Sequence, residues 1–144
     1  MDEADPEDEG RTGNRKDGRD LAAEWVAKSP SHAYVTDQAG FDAIDFASDA
    51  RVLGLFDASH MDYELDRAAD VAGEPSLVEL TEAAITRLSQ DPDGFVLMVE
   101  AGRIDHAHHG VNAARALEET DMLDQAVAAA LAMTNAEDTL VIVT

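Results

Sequence analysis

Two kinds of hydrophobic pattern alternate along the chain. Short apolar runs stand at His32 to Val35, Arg51 to Phe56, Phe95 to Val99 and Thr139 to Thr144, and each reads as a strand. Between them lie stretches with helical spacing. Leu21 and Trp25 stand four apart within Leu21 to Lys28, after Asp20 as a cap and before a stop at Ser29-Pro30. Phe41, Ile44 and Phe46 give a looser stripe over Asp37 to Phe46, with Thr36 as its cap. Leu77, Leu80, Ala84, Ile85 and Leu88 form a clear stripe after Glu74-Pro75-Ser76, with Pro75 at or near the first turn. A long helix is predicted from Asn112 to Met133. Leu117, Leu123, Val127 and Leu131 mark its buried side, and Glu118, Glu119, Asp121 and Asp124 its wet side. Asp91 to Gly94 and Asn135 to Asp138 read as turns, and residues 57–73 show no clear period. Alternating strands and helices predict an α/β fold, a three-layer sandwich with a largely parallel central sheet. Phe95 to Val99 would then be a strand buried on both faces.

Charge narrows the function classes. The chain has 144 residues and 31 acids against 10 bases, a net charge of −21. Nucleic-acid binding needs a basic surface and is argued against. Many Asp and few Lys point to adaptation to high salt, where screening over about 3 Å at 1 M suppresses self-repulsion. The alternative is an ordinary acidic protein kept soluble by its charge. Residues 1–19, acidic and then basic with several glycines, read as loop or disorder. Residues 20–144 carry the patterned domain. There is no cysteine, so disulfides and thiolate metal sites are excluded. No apolar stretch approaches the roughly 20 residues of a membrane span, and no signal peptide is visible.

The candidate chemistry lies in Gly94 to Gly110, GFVLMVEAGRIDHAHHG. The apolar run ends in Glu100, at the carboxyl end of its expected strand, where α/β sheets place ligands. Asp105 and His109 are four apart and share a face on a helical turn. One carboxylate and one imidazole suit zinc. Glu100 offers a hard oxygen that suits magnesium. Gly102 is expected to relax the backbone of the intervening turn. A solvated loop that happens to hold these residues is the bland alternative.

VEAGRIDHAHH resembles the VEGGRIDHxHH segment of the alkaline phosphatase family, with Ala101 where the family often has Gly. Asp17-Gly18-Arg19-Asp20-Leu21 with Glu24-Trp25 resembles its DGxNLxxEW segment. Gly54-Leu55-Phe56 with Met61-Asp62-Tyr63-Glu64 resembles its GLF…MxYE segment, and Asn112 to Leu117 and Glu137 to Thr144 also match. The resemblance implies hydrolysis of phosphate monoesters at alkaline pH, by a serine nucleophile between two zinc ions with magnesium nearby. It implies Glu100 as a magnesium ligand, Asp105 and His109 as ligands of one zinc, and His106 close to the bound phosphate. His108 reads as a surface or second-layer histidine. Calcium is implied at the backbone of Phe56 with the carboxylates of Asp57 and Glu74. The family domain is much larger. Residues 20–144 are therefore expected to be part of one, truncated at both ends, without the serine segment and without the Asp-His pair that follows the last strand. The isolated chain is then expected to be inactive. The family further implies a homodimeric whole protein outside the cytoplasm. Two alternatives stand: another superfamily hydrolase such as a phosphodiesterase or sulfatase, and a non-catalytic acidic cation-binding remnant.

Overall fold

The computed structural model describes residues 15–144. Most of the segment read as loop or disorder, positions 1–14, lies outside the described residues. The chain forms two compact units. One holds residues 15–62 with Ala69–Glu74, the other Tyr63–Ala68 with Pro75–Thr144.

In the first unit, helix α1 spans Leu21–Val26 and strand β1 spans His32–Val35. Helix α2 spans Gln38–Asp42 and strand β2 Arg51–Gly54. The strands pair in parallel, with His32 opposite Arg51 and Val35 opposite Gly54. A parallel pair needs a crossover, and α2 lies within it. Asp20 caps α1 as expected, its side chain accepting from the Ala23 N–H at 2.8 Å. For α2 the cap is Asp37, not Thr36. Asp37 holds the extended backbone of a capping residue and accepts from the Gly40 N–H at 2.6 Å. The helix also stops at Asp42, short of Phe46. Phe46 instead turns back onto Phe41, with ring centroids 5.0 Å apart, and Phe56 meets Phe41 edge-on at 6.2 Å. These rings form the unit's core. Leu21 is exposed, and Ala22 is the buried residue of α1. Trp25 stacks on His32 at 4.1 Å and its indole N–H donates to the Ala33 carbonyl, which ties α1 to β1.

The second unit is helical: α3 Glu64–Arg67, α4 Leu77–Leu88, α5 Arg103–His109 and α6 Ala113–Met133. Ser76 caps α4 in a complete capping box with Glu79. Pro75 precedes that cap and is fully buried. Asn112 caps α6 through the Arg115 N–H at 3.1 Å. The buried side of α6 is Ala116, Glu119 and Ala126, not the leucine stripe. Leu117 is 72% exposed and Leu131 is 55% exposed. Both α4 and α5 pack on α6, and small alanines let helix axes approach closely. Glu119 belongs to this face because its carboxylate accepts the Glu64 N–H at 2.7 Å, which satisfies a donor at the start of α3.

Phe95 to Val99 and Thr139 to Thr144 are not strands among the described residues. Neither has a hydrogen-bonded neighbour there, and strand structure requires one. The first run is not buried on both faces either: Val96 is 95% exposed and Met98 is 85% exposed. Phe95 and Leu97 between them are half-buried, so the run keeps the period of two of an extended chain. The α/β character therefore rests on the β1–β2 pair and the helices.

Candidate metal and phosphate site

Helix α5 carries most of the candidate chemistry. It starts at Gly102, whose φ of −62° and ψ of −22° are ordinary helical values. The expected need for glycine's freedom is therefore absent there. A Cβ at Gly102 would meet the Glu100 carboxylate at 3.6 Å, an ordinary contact, so Glu100 folds back over the start of α5. Glu100 is exposed.

Asp105 and His109 share one face of α5, with Asp105 Oδ2 3.4 Å from His109 Nε2. Both side chains face solvent. Two donors bound at zinc distances and a tetrahedral angle stand about 3.3–3.5 Å apart. The oxygen and nitrogen donors and their spacing thus fit two positions of one zinc. No group of three or more His, Asp or Glu side chains among the described residues could hold a metal ion. Glu100 is not brought into one set with Asp105 and His109.

The other histidines of α5 differ in their partners. His108 Nδ1 lies 2.7 Å from the Ile104 carbonyl, so Nδ1 is the protonated nitrogen. His106 is half-buried, and its Nδ1 is 3.3 Å from an Arg103 Nη1.

The end of α5 is strained. The Val111 N–H donates to the His108 carbonyl and the Asn112 N–H to the Ala107 carbonyl at 2.9 Å. This is a Schellman closure, and its left-handed position usually takes glycine. Here it is Val111, with φ of +51°, an outlier for a β-branched residue. Gly110, one residue earlier, has φ of −78°. The closure hands the chain directly to the Asn112 cap of α6 and so fixes the corner between the two helices.

The first unit brings a second group together. Gly73, with φ of +75°, lies against Gln38, where a Cβ would clash at 2.9 Å. Its carbonyl accepts the Gln38 N–H at 2.7 Å. The next residue, Glu74, is driven into the interior and is 3% exposed. Its Oε1 accepts the Asp62 N–H at 2.6 Å. Burial pushes the Glu74 carboxyl up to about 7, the Asp62 N–H opposes that rise, and the charges of Asp62, Asp70 and Asp57 add to it. Phe56 is buried, and Asp57 accepts the Ser59 N–H at 2.6 Å. The calcium candidates Phe56, Asp57 and Glu74 thus lie in one unit, and no group of three acids or histidines gathers around them among the described residues. Asp62 and Asp70, whose charges reach Glu74, stand in a run without a period, which gives no facing information.

Comparison with known proteins gives a consistent result. The family model described as alkaline phosphatase matches residues 1–144. The tissue-nonspecific alkaline phosphatase of Felis catus is 44% identical over 140 residues, 95% of this chain and 26% of that protein. The membrane-bound alkaline phosphatase of Bombyx mori is 40% identical over 142 residues, 96% of this chain and 26% of that protein. The crystal structure of Thermus thermophilus alkaline phosphatase superposes with a TM-score of 0.72 at 39% identity, covering 82% of this chain and 24% of that one. The chain spans about a quarter of the length of the curated relatives it matches.

Proposed function

The chain belongs to the alkaline phosphatase family, and on that premise we propose that it is the metal-ligand segment of a phosphate-monoester hydrolase. Asp105 and His109 would hold one zinc, Glu100 would bind magnesium, and His106 would face the phosphate. The observation that carries this is the 3.4 Å spacing of Asp105 and His109 on α5, which suits two ligands of one tetrahedral ion. Bound there, the metals would supply Lewis-acid charge stabilisation for phosphoryl transfer. The chain's own contribution is orientation. The Schellman closure at Val111 fixes α5, and the helical turn sets the two donors side by side.

Two zinc ligands bind more weakly than the three or four of ordinary sites, so we expect the isolated chain to be inactive. Zinc titration against a chelating dye tests the assignment. Asp105→Ala and His109→Ala should each weaken binding at least about tenfold. Unchanged affinity in either variant would sink it.

The whole protein would act on phosphate monoesters outside the cytoplasm, as a homodimer. Family membership supports the first part. Among the described residues no helix is long and apolar enough to cross a membrane. The net charge of −21 supports work at high salt. A calcium ion near Phe56, Asp57 and Glu74 is a second proposal. The buried Glu74 carboxyl supports it, although no three acids gather there as a ready metal set among the described residues.

A further inference from the structure

We propose that Tyr63 is a positioning residue for the cation site at Glu100: its ring holds the Arg103 guanidinium and keeps it from pairing with the Glu100 carboxylate. The proposal rests on the reading of Glu100 as a ligand for a hard divalent cation. Arg103 opens α5, three residues after Glu100. The Glu100 carboxylate lies over the chain between them, with Oε1 3.6 Å from the place of a Cβ on Gly102. A cation and an anion thus share one turn of chain at the candidate site, yet they do not pair. Arg103 lies instead over Tyr63, 3.7 Å from the ring centroid, with Nη1 3.3 Å from His106 Nδ1. Its Nε is buried without a hydrogen-bond partner. Among the described residues it meets no carboxylate, in a chain with 31 acids.

That placement has a chemical consequence. A guanidinium and a divalent cation compete for the same carboxylate oxygens. An Arg103 turned toward Glu100 would occupy the ligand. The ring holds the guanidinium by a cation–π contact and adds no second acid beside the site. With Nε out of water, that contact is of the desolvated kind, which outweighs an exposed ion pair. The ring is itself held in place. Arg115 lies over it at 4.4 Å and pairs with Asp66 at 2.6 Å. Glu119 accepts the Glu64 N–H at 2.7 Å. The Asp66 and Glu64 contacts do not involve the ring, so α3 should keep its place when the ring is removed.

The test is residue-resolved NMR of the isotope-labelled chain at low ionic strength, titrated with manganese(II). This cation takes oxygen ligands as magnesium does, and its paramagnetism broadens the signals of residues that bind it. Broadening of the Glu100 side-chain signal gives the apparent affinity there. Tyr63→Leu should weaken it about two- to fivefold, the size of an exposed ion pair. Tyr63→Phe should keep it. Arg103→Gln added to Tyr63→Leu should restore it, which a mere loss of packing would not allow. Undiminished affinity in Tyr63→Leu, or a double variant as weak as the single one, overturns the proposal. Should Tyr63→Leu lose helix content by circular dichroism, Arg103→Lys decides. Lysine keeps the charge but stacks less well on a ring, so affinity should fall by a similar factor, and equal affinity overturns the proposal. Glu100→Gln separates the two readings. Broadening around position 100 that survives Glu100→Gln refutes the cation site and the proposal together. A site that Glu100→Gln abolishes and Tyr63→Leu spares refutes the proposal alone.

Discussion

Glu74 gives a prediction with a definite sign. Its carboxyl, ordinarily near 4.5, is pushed to about 7, first by burial. Between those values the folded chain keeps a proton that the unfolded chain has released. The folded state binds more protons there, so stability falls as pH rises. The contribution is full below pH 4.5 and is lost as pH passes 7. The displacement corresponds to about 3 kcal/mol. Trp25 is the chain's single tryptophan and lies in the same unit, so its fluorescence during urea unfolding reports the right part of the molecule. Stability by that probe should drop by about 2.5 kcal/mol between pH 5 and pH 8, relative to Glu74→Gln. The glutamine oxygen can still accept the Asp62 N–H, so the variant removes the charge and keeps the bond. Calcium should reverse the loss at pH 8 in the unsubstituted chain alone, by about 2.7 kcal/mol at a hundredfold excess over its dissociation constant. Equal pH slopes in the two proteins would refute the reasoning about burial. Equal calcium responses would refute the cation site.

Three further outcomes follow from single contacts. Val111→Gly relieves a left-handed valine and should stabilise the second unit by on the order of 1 kcal/mol, net of glycine's entropy, read from thermal melting by circular dichroism. Ser76→Ala breaks the capping box of α4 and should cost about 1 kcal/mol in the same melt. Glu119→Ala leaves the Glu64 N–H without its acceptor and should cost about 1–3 kcal/mol. Hydrogen exchange at the Glu64 amide should speed up in that variant and stay slow in Glu119→Gln.

What the sequence revealed was governed by local rules. The Asp20 cap, the span of α6 and the shared face of Asp105 and His109 each depend on residues within one or two turns. Capping chemistry and the 3.6-residue period decide such features whatever surrounds them. Thr36 and Asp37 are adjacent residues that can both cap, and only backbone geometry separates them. Glu119 looked like a wet-side acid because its partner is 55 residues away in the chain. Tyr63, Arg103 and Arg115 were equally out of reach, since nothing local says that two guanidinium groups share one ring. Only the three-residue spacing of Arg103 and His106 hinted at their contact.

The two unpaired apolar runs bear on the high-salt reading. Val96 and Met98 are exposed in one, and Leu140 and Ile142 in the other, at 84% and 72%. Alternating exposed apolar residues on an unpaired extended run invite edge association. In dilute buffer a net charge of −21 opposes that association by mutual repulsion. At molar salt the screening length falls to about 3 Å and the opposition disappears. A chain with these faces bare would then aggregate at molar salt. Work at high salt, as proposed above, would then require further strands over these runs. Such strands would give Phe95 to Val99 the buried place that its composition predicts, and would hold Glu100 at the end of a paired strand. The match to about a quarter of each relative's length agrees with such a setting.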